Sequence, residues 1–316
     1  MGLSIGVDIG GTKILAGAVT EDGEIVKTAR RDTPHSDATA VLDLVAEVVT
    51  ELARAVDAPI DGVGLGVAGP VDASRSHVYF APNLRWSQVP ARALLEAATG
   101  LPVVVENDGN VAAWGEYRFG AGRGSGDLVL VTVGTGIGGG IVLGGRLFRG
   151  AHGAAGEIGH ANAVPNGIPC GCGRNGCIEQ YASGNALVRE ARALAAERRP
   201  EAAILLSLGD GTPEGVQGVH VTEAARAGDP VAVEAFEIVG TWLGRGLADL
   251  AAILDPDVFV IGGGVSVAGE LLLASARRTL NSKLVGLATR PAPVIKVAEL
   301  LNEAGLVGAA DLARDR

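Results

Sequence analysis

One order of apolar runs and glycine turns occurs twice in this chain, and that recurrence restricts the fold more than any other feature. Leu3 to Ile9 is an apolar run closed by Gly10 and Gly11. Ile14 to Val19 follows, then a hairpin turn at Glu21, Asp22 and Gly23, and a third run from Ile25 to Arg30. From Leu128 the order returns: Leu128 to Val133, a glycine turn over 134–140, Ile141 to Leu143, a turn at Gly144 and Gly145, and a further start at Leu147 and Phe148. A period of this length is a duplication of half-molecules, not a solenoid repeat. It predicts two similar α/β halves facing each other, with small ligands in the cleft they make.

The remaining elements follow from period and punctuation. Apolar residues at Val41, Leu44, Val45, Val48 and Val49 predict a helix over 38–56. Further helices are expected over 91–98, 186–199, 231–253 and 269–281, and buried strands over 63–67, 103–105 and 257–261. The Gly-rich stretch 120–126 reads as a domain boundary. Residues 1–119 are therefore expected to form a smaller N-terminal α/β domain, joined by a C-terminal helix at 303–316, and 120–302 a larger one.

Aromatic residues are only 3% of the 316, so the core must be Ala, Val, Leu and Ile. A net charge of −10 without a basic cluster argues against a nucleic-acid partner. No apolar stretch is long enough to span a bilayer, and residues 1–11 lack the basic start of a signal peptide. A cytoplasmic protein without a membrane partner is expected.

Three glycine motifs carry chemistry. Asp8, Ile9, Gly10, Gly11, Thr12 and Lys13 lie between two strands. Glycines let backbone N–H groups approach an anion, Thr12 adds a hydroxyl and Lys13 a positive charge. Asp8 suits a phosphate only with a cation between them, Mg²⁺ being the natural one. The second motif, 134–140, contains G-x-G-x-x-G, but a strand follows it rather than a helix, so a dinucleotide fold is rejected. It can still cradle a phosphate, with Thr135 as donor. The third, Gly262, Gly263 and Gly264, ends a strand and leaves room for a flat ring. The first and third motifs alone also read as plain turns.

All three cysteines fall between 170 and 177. With His160 they give H-x9-C-x-C-x4-C, a donor set for tetrahedral zinc with no open position, hence a structural site. Free thiols are the alternative. Glu157 and Glu179 flank these ligands and can accept sugar hydroxyl protons. Asn107 and Asp108 end the strand at 103–105; Asp108 can act as a general base and Asn107 can orient a substrate, although both also suit a helix N-cap.

Asp8 to Lys13, the run Glu157-Ile158-Gly159-His160 and the run Cys170 to Glu179 together resemble the ROK family of sugar kinases, within the actin-like and hexokinase-like ATPase superfamily. The similarity extends over the whole chain. It implies an α/β fold of two ribonuclease-H-like, actin-like ATPase domains with mixed sheets facing a central cleft. It implies ATP with Mg²⁺ as donor, a structural Zn²⁺ and a homodimer or homotetramer. Asp8, Gly10, Gly11, Thr12 and Lys13 look like the first phosphate motif, Thr135 and Gly136 the second, and Gly262, Gly263 and Gly264 the adenosine contact. Asp108 matches the catalytic base that deprotonates a sugar 6-hydroxyl. Asn107, Glu157, His160 and Glu179 match sugar ligands, with Asn83 a further one, and His160 would serve zinc and sugar together. The segment at 81–86 favours glucose as substrate. Other hexoses, N-acetylhexosamines and a polyphosphate donor remain alternatives. A sugar-responsive regulator is disfavoured, because Asp8 stands so near the start of the chain.

Overall fold

The structure, a computed structural model, describes residues 2–34, 37–286 and 288–314; the last two positions of the expected C-terminal helix lie outside it. The chain divides into two compact units, one of residues 1–130, 139–156 and 298–316, the other of 131–138 and 157–297.

In the first unit, β1 (Leu3–Ile9), β2 (Lys13–Val19) and β3 (Ile25–Asp32) form an antiparallel meander. α1 (Ala38–Ala55) follows, capped by Asp37, whose carboxylate accepts the N–H of Ala40 at 2.9 Å. β4 (Ile60–Val67) then pairs parallel with β1. A hairpin of β5 (Val78–Ala81) and β6 (Trp86–Val89), with the 3-10 turn Pro82–Leu84 at its tip, lies outside the main sheet. α2 (Ala91–Thr99) leads to β7 (Val103–Asn107), parallel to β4, and then to α3 (Asp108–Phe119). The sheet order is β3-β2-β1-β4-β7. The core beneath it is aliphatic: Ile5, Val7, Ile9, Val45, Leu52, Leu65 and Val105 are all buried.

β8 (Leu128–Val133) and β9 (Ile137–Leu143) carry residues of both units, and β10 (Arg146–Leu147) pairs antiparallel with β9. Five helices follow: α4 (Glu179–Ala182), α5 (Gly184–Glu197), α6 (Ala203–Leu208), α7 (Gly218–Arg226) and the long α8 (Pro230–Leu254). Asp229 is wholly buried and starts α8 by accepting the N–H groups of Val231 and Ala232, while also accepting that of Leu205. β11 (Val258–Gly262), α9 (Glu270–Lys283) and β12 (Val294–Val297) complete the second unit. α10 (Ala304–Leu312) belongs to the first. Among the described residues no helix is long and apolar enough to cross a membrane.

The second sheet has the order β10-β9-β8-β11-β12. Numbered in chain order among their own strands, both sheets read third-second-first-fourth-fifth, so the duplication visible in the sequence is a duplication of topology. Each sheet is mixed: an antiparallel meander continues into parallel strands.

The start of one strand departs from the sequence expectation. Strand β9 begins at Ile137, so Gly138, Gly139 and Gly140 lie in the strand rather than in the turn; sheet pairing overrides the poor strand preference of glycine. α10 is buried along its whole length, against β1, β2, β4 and α3. It approaches the sheet so closely because Gly6 and Gly64 face it: a Cβ on either would overlap the carbonyl of Leu306 or Ala309.

Candidate active site

Asp8 sits one residue from the end of β1, opposite Gly66 of β4 and Leu15 of β2. Beyond it the chain turns at once, the N–H of Gly10 donating to the Lys13 carbonyl at 2.9 Å. Thr33 braces this turn: its hydroxyl donates to the Gly10 carbonyl at 2.8 Å and its N–H to the Thr12 carbonyl at 3.0 Å. Asn83, exposed on the tip of the β5–β6 hairpin, lies against the same turn, since a Cβ on Gly11 would come 3.3 Å from the Asn83 Cβ. Burial, and then repulsion by Asp108, push the Asp8 carboxyl up to about 6, with Lys13 opposing. Two carboxylates and one ammonium thus share a neighbourhood that suits a bound cation.

Asn107 and Asp108 are both cap and candidate site. The Asn107 side-chain oxygen accepts the N–H of Asn110 at 3.1 Å, which makes it the N-cap of α3. Its amide nitrogen donates to the Gly69 carbonyl at 3.2 Å and to the Asp108 carboxylate at 3.0 Å. The same Asp108 oxygen accepts the N–H of Gly109 at 2.9 Å. Asp108 is exposed at the first turn of the helix, where the helix dipole favours an anion.

In the second unit His160, Cys170, Cys172 and Cys177 converge, with ligand atoms all within 4.8 Å of one another. Cys172 Sγ is 3.6 Å from Cys177 Sγ, and Cys170 Sγ is 3.7 Å from His160 Nδ1. Zn–S bonds of about 2.3 Å in a tetrahedron set neighbouring donors about 3.7 Å apart, so the residues fit the metal. Because His160 turns Nδ1 to the sulfurs, its Nε2 is the nitrogen left for another partner. The loop is braced by Arg174, whose guanidinium donates to the His160 carbonyl at 2.5 Å, and by Tyr181, whose hydroxyl accepts the N–H of Ile168 at 2.9 Å. The backbone N–H of Arg174 holds the exposed Cys172 thiol down to about 6, while burial pushes Cys177 up to about 12.

Glu157 is exposed at the start of the 3-10 turn Ile158–His160, and its carbonyl accepts the N–H of His160 at 3.1 Å. Glu179 opens α4. One of its oxygens accepts the N–H of Ile137 at 3.0 Å and the other lies 3.6 Å from Cys170 Sγ. It therefore ties the cysteine loop to the glycine loop that holds Thr135 and Gly136.

Thr135 and Gly264 line one cavity of about 500 Å³ in the second unit. The first turns of α5 also line it, through Gly184, Asn185, Leu187 and Val188, and the N–H of Gly184 donates to the Gly134 carbonyl at 2.7 Å. Gly262 is buried at the end of β11, and Gly263 turns the chain with φ of +82°. A Cβ on Gly263 would lie 2.5 Å from the Val133 carbonyl oxygen, so both conformation and space require glycine. Another wall is α7, through Val219, Thr222, Glu223 and Arg226. The sequence reading missed that wall. An ordinary amphipathic helix carries no local mark of what its polar end faces.

The chain matches the family model described as the ROK family over residues 4–316. It is 53% identical over 315 residues to a glucokinase of Streptomyces coelicolor, covering 100% of this chain and 98% of that protein. It is 37% identical over 314 residues to a glucokinase of Thermotoga maritima, covering 99% and 97%. A ROK family glucokinase from Streptomyces griseus, solved in complex with glucose and AMPPNP, superposes with a TM-score of 0.88 at 51% identity, covering the whole of both chains. The mixed α/β fold is that of the ROK sugar kinases, the actin-like ATPase fold. The match of family model, sequence and fold runs from one end of the chain to the other, and this protein belongs to the ROK family.

Proposed function

We propose that this protein is an ATP-dependent glucokinase, transferring the γ-phosphoryl group of ATP to the 6-hydroxyl of glucose. The observation that carries the reading is its 51% identity, over the full length, to a glucokinase that holds glucose and AMPPNP. The geometry supports roles for individual residues. Asp108, kept at a helix N-terminus by the Asn107 amide, accepts the proton of the 6-hydroxyl. The oxygen then bonds to the γ-phosphorus while the bond to the bridging oxygen of ADP breaks. As the family resemblance implies, Asn83, Asn107, Glu157, His160 and Glu179 hold the sugar hydroxyls, His160 through Nε2. The cavity at Thr135 and Gly264 takes the nucleoside, and Gly10 to Lys13, with Thr135 and Gly136, the phosphates.

Mg²⁺, held with the ATP phosphates, supplies charge neutralisation when bound, and Asp8 is the residue suited to it. Zinc on His160, Cys170, Cys172 and Cys177 orders the loop that carries Glu157 and Glu179. A homodimer or homotetramer in the cytoplasm completes the reading, as the family resemblance implies.

ADP release from Mg-ATP by zinc-replete protein, measured against a panel of sugars, tests it. Turnover with glucose well above that with fructose and N-acetylhexosamines is the expected result. Preference for another sugar replaces the substrate, and inactivity with every sugar and donor overturns the reading.

A further inference from the structure

A buried carboxylate that the reaction above does not use stands directly before Asn107 and Asp108. Glu106 is 1% exposed and lies on β7 opposite Gly66. A carboxylate withdrawn from water is costly unless it is paired and hydrogen-bonded. Glu106 has both kinds of partner. One oxygen accepts the backbone N–H of Asn107 at 2.9 Å and the side-chain amide of Asn110 at 3.0 Å. The other lies 2.6 Å from Nε of Arg149 and 3.2 Å from Nε of Arg75. Arg149 is fixed in turn, donating to the carbonyls of Asp72 at 2.8 Å and Ala73 at 2.9 Å.

These contacts form a continuous line. Arg149 holds Glu106; Glu106 holds the Asn110 amide and the Asn107 N–H; the Asn110 N–H donates to the Asn107 side-chain oxygen; the Asn107 amide donates to Asp108. An apolar side chain can fill a buried strand position without loss of stability, so packing alone does not call for a buried ion pair. What the charge adds here is orientation. Only a carboxylate can accept two N–H groups on one oxygen while its other oxygen faces two guanidinium groups.

We propose that Glu106, with Arg149 as its counter-ion, is a positioning residue for the phosphoryl transfer. It sets the plane of the Asn107 amide and, through that amide, the direction of the Asp108 carboxylate. The inference rests on the glucokinase reading. Wild-type turnover of glucose is therefore the first measurement: its absence removes the reading, whereas its presence leaves the positioning role to be decided by the variants.

Glu106→Gln, Arg149→Gln and the double variant are compared with wild type at a temperature where each is folded. The readouts are kcat, glucose KM, and AMPPNP affinity without sugar. The expected result is a fall in kcat of about tenfold to a hundredfold in each single variant, the cost of a small misplacement of a reacting group. AMPPNP affinity should stay within about twofold, and the double variant should be no slower than the slower single, because the two residues act as one unit. A kcat within about threefold of wild type in either folded single variant overturns the proposal. So does a double variant whose loss is the product of the two, or a parallel fall in AMPPNP affinity. If Glu106→Gln does not fold, Arg149→Gln decides alone. If neither folds, the ion pair serves stability and the positioning role is rejected.

Discussion

The Glu179 carboxylate accepts a hydrogen bond from the backbone N–H of Ile137 at 3.0 Å, across 42 residues of sequence. A side chain assigned to the sugar thus also holds the glycine loop assigned to ATP phosphate. Glu179→Ala should therefore weaken AMPPNP binding even when no sugar is present, by about tenfold or more, the scale of one hydrogen bond to a charged group. Calorimetric titration of sugar-free, zinc-replete protein measures it. An unchanged AMPPNP affinity together with weaker glucose binding would restrict Glu179 to the sugar.

Asp108→Asn should lower kcat by about 10² to 10⁴, the usual contribution of a general base, with glucose affinity close to wild type. Asn107→Ala should add a loss of stability of about 1 kcal/mol from the missing helix cap. Steady-state kinetics and thermal unfolding separate the two effects. An Asp108→Asn enzyme within tenfold of wild type would remove the base assignment.

The Asp8 carboxyl, pushed from 3.8 up to about 6, links stability to pH with a definite sign. Between these values the folded protein keeps a proton that the unfolded chain has released, so this group's contribution to stability falls as pH rises through the window. Asp8→Asn should be more stable than wild type at pH 7, by up to about 3 kcal/mol, and the difference should vanish below about pH 4. Unfolding curves of metal-free, nucleotide-free protein across this range provide the measurement. Equal stability of the two proteins at pH 7 would contradict the shift.

Removing zinc with a chelator, or substituting Cys177→Ser, should loosen the segment that carries His160 and the cysteines while α10 and its sheet stay protected. Burial holds the Cys177 thiol protonated without metal, so zinc uptake should release protons. Hydrogen exchange and a proton-release titration are the two readouts. Uniform loss of protection across both units would show that the metal supports more than its own loop.

Gly64→Ala should cost about 1–3 kcal/mol, the range for overpacking, because the added methyl group meets the Ala309 carbonyl of α10. Denaturant unfolding tests this. A neutral substitution would mean that α10 can shift away from the sheet without loss.

What could be read from residues alone was what is local. The strand runs are apolar and closed by glycine, so β1, β2, β8 and β11 stood in the sequence within a residue or two of their observed ends. The four candidate zinc donors fall within residues 160–177, and such spacing has few other uses. Asn107 and Asp108 were legible as the end of a strand, and the structure makes Asn107 the cap and leaves Asp108 exposed beside it. The β5–β6 hairpin was not legible, since its two strands are four residues each and carry no clear alternation.

Tertiary structure alone decided which distant groups meet. Asp8 lies on β1 and Asp108 opens α3 directly after β7, and their mutual repulsion exists only because β1, β4 and β7 are neighbours in one sheet. Glu106 stands just past the apolar run 103–105, and nothing local marks it as the partner of Arg75 and Arg149. The wall that α7 gives to the cavity, and the bond from Ile137 to Glu179, have the same origin. The physical reason is one of range. Periodicity and turn chemistry act over a few residues and leave a mark in the sequence. A hydrogen bond or ion pair between distant residues leaves none, because any segment of suitable polarity could supply the partner until the fold brings one segment there.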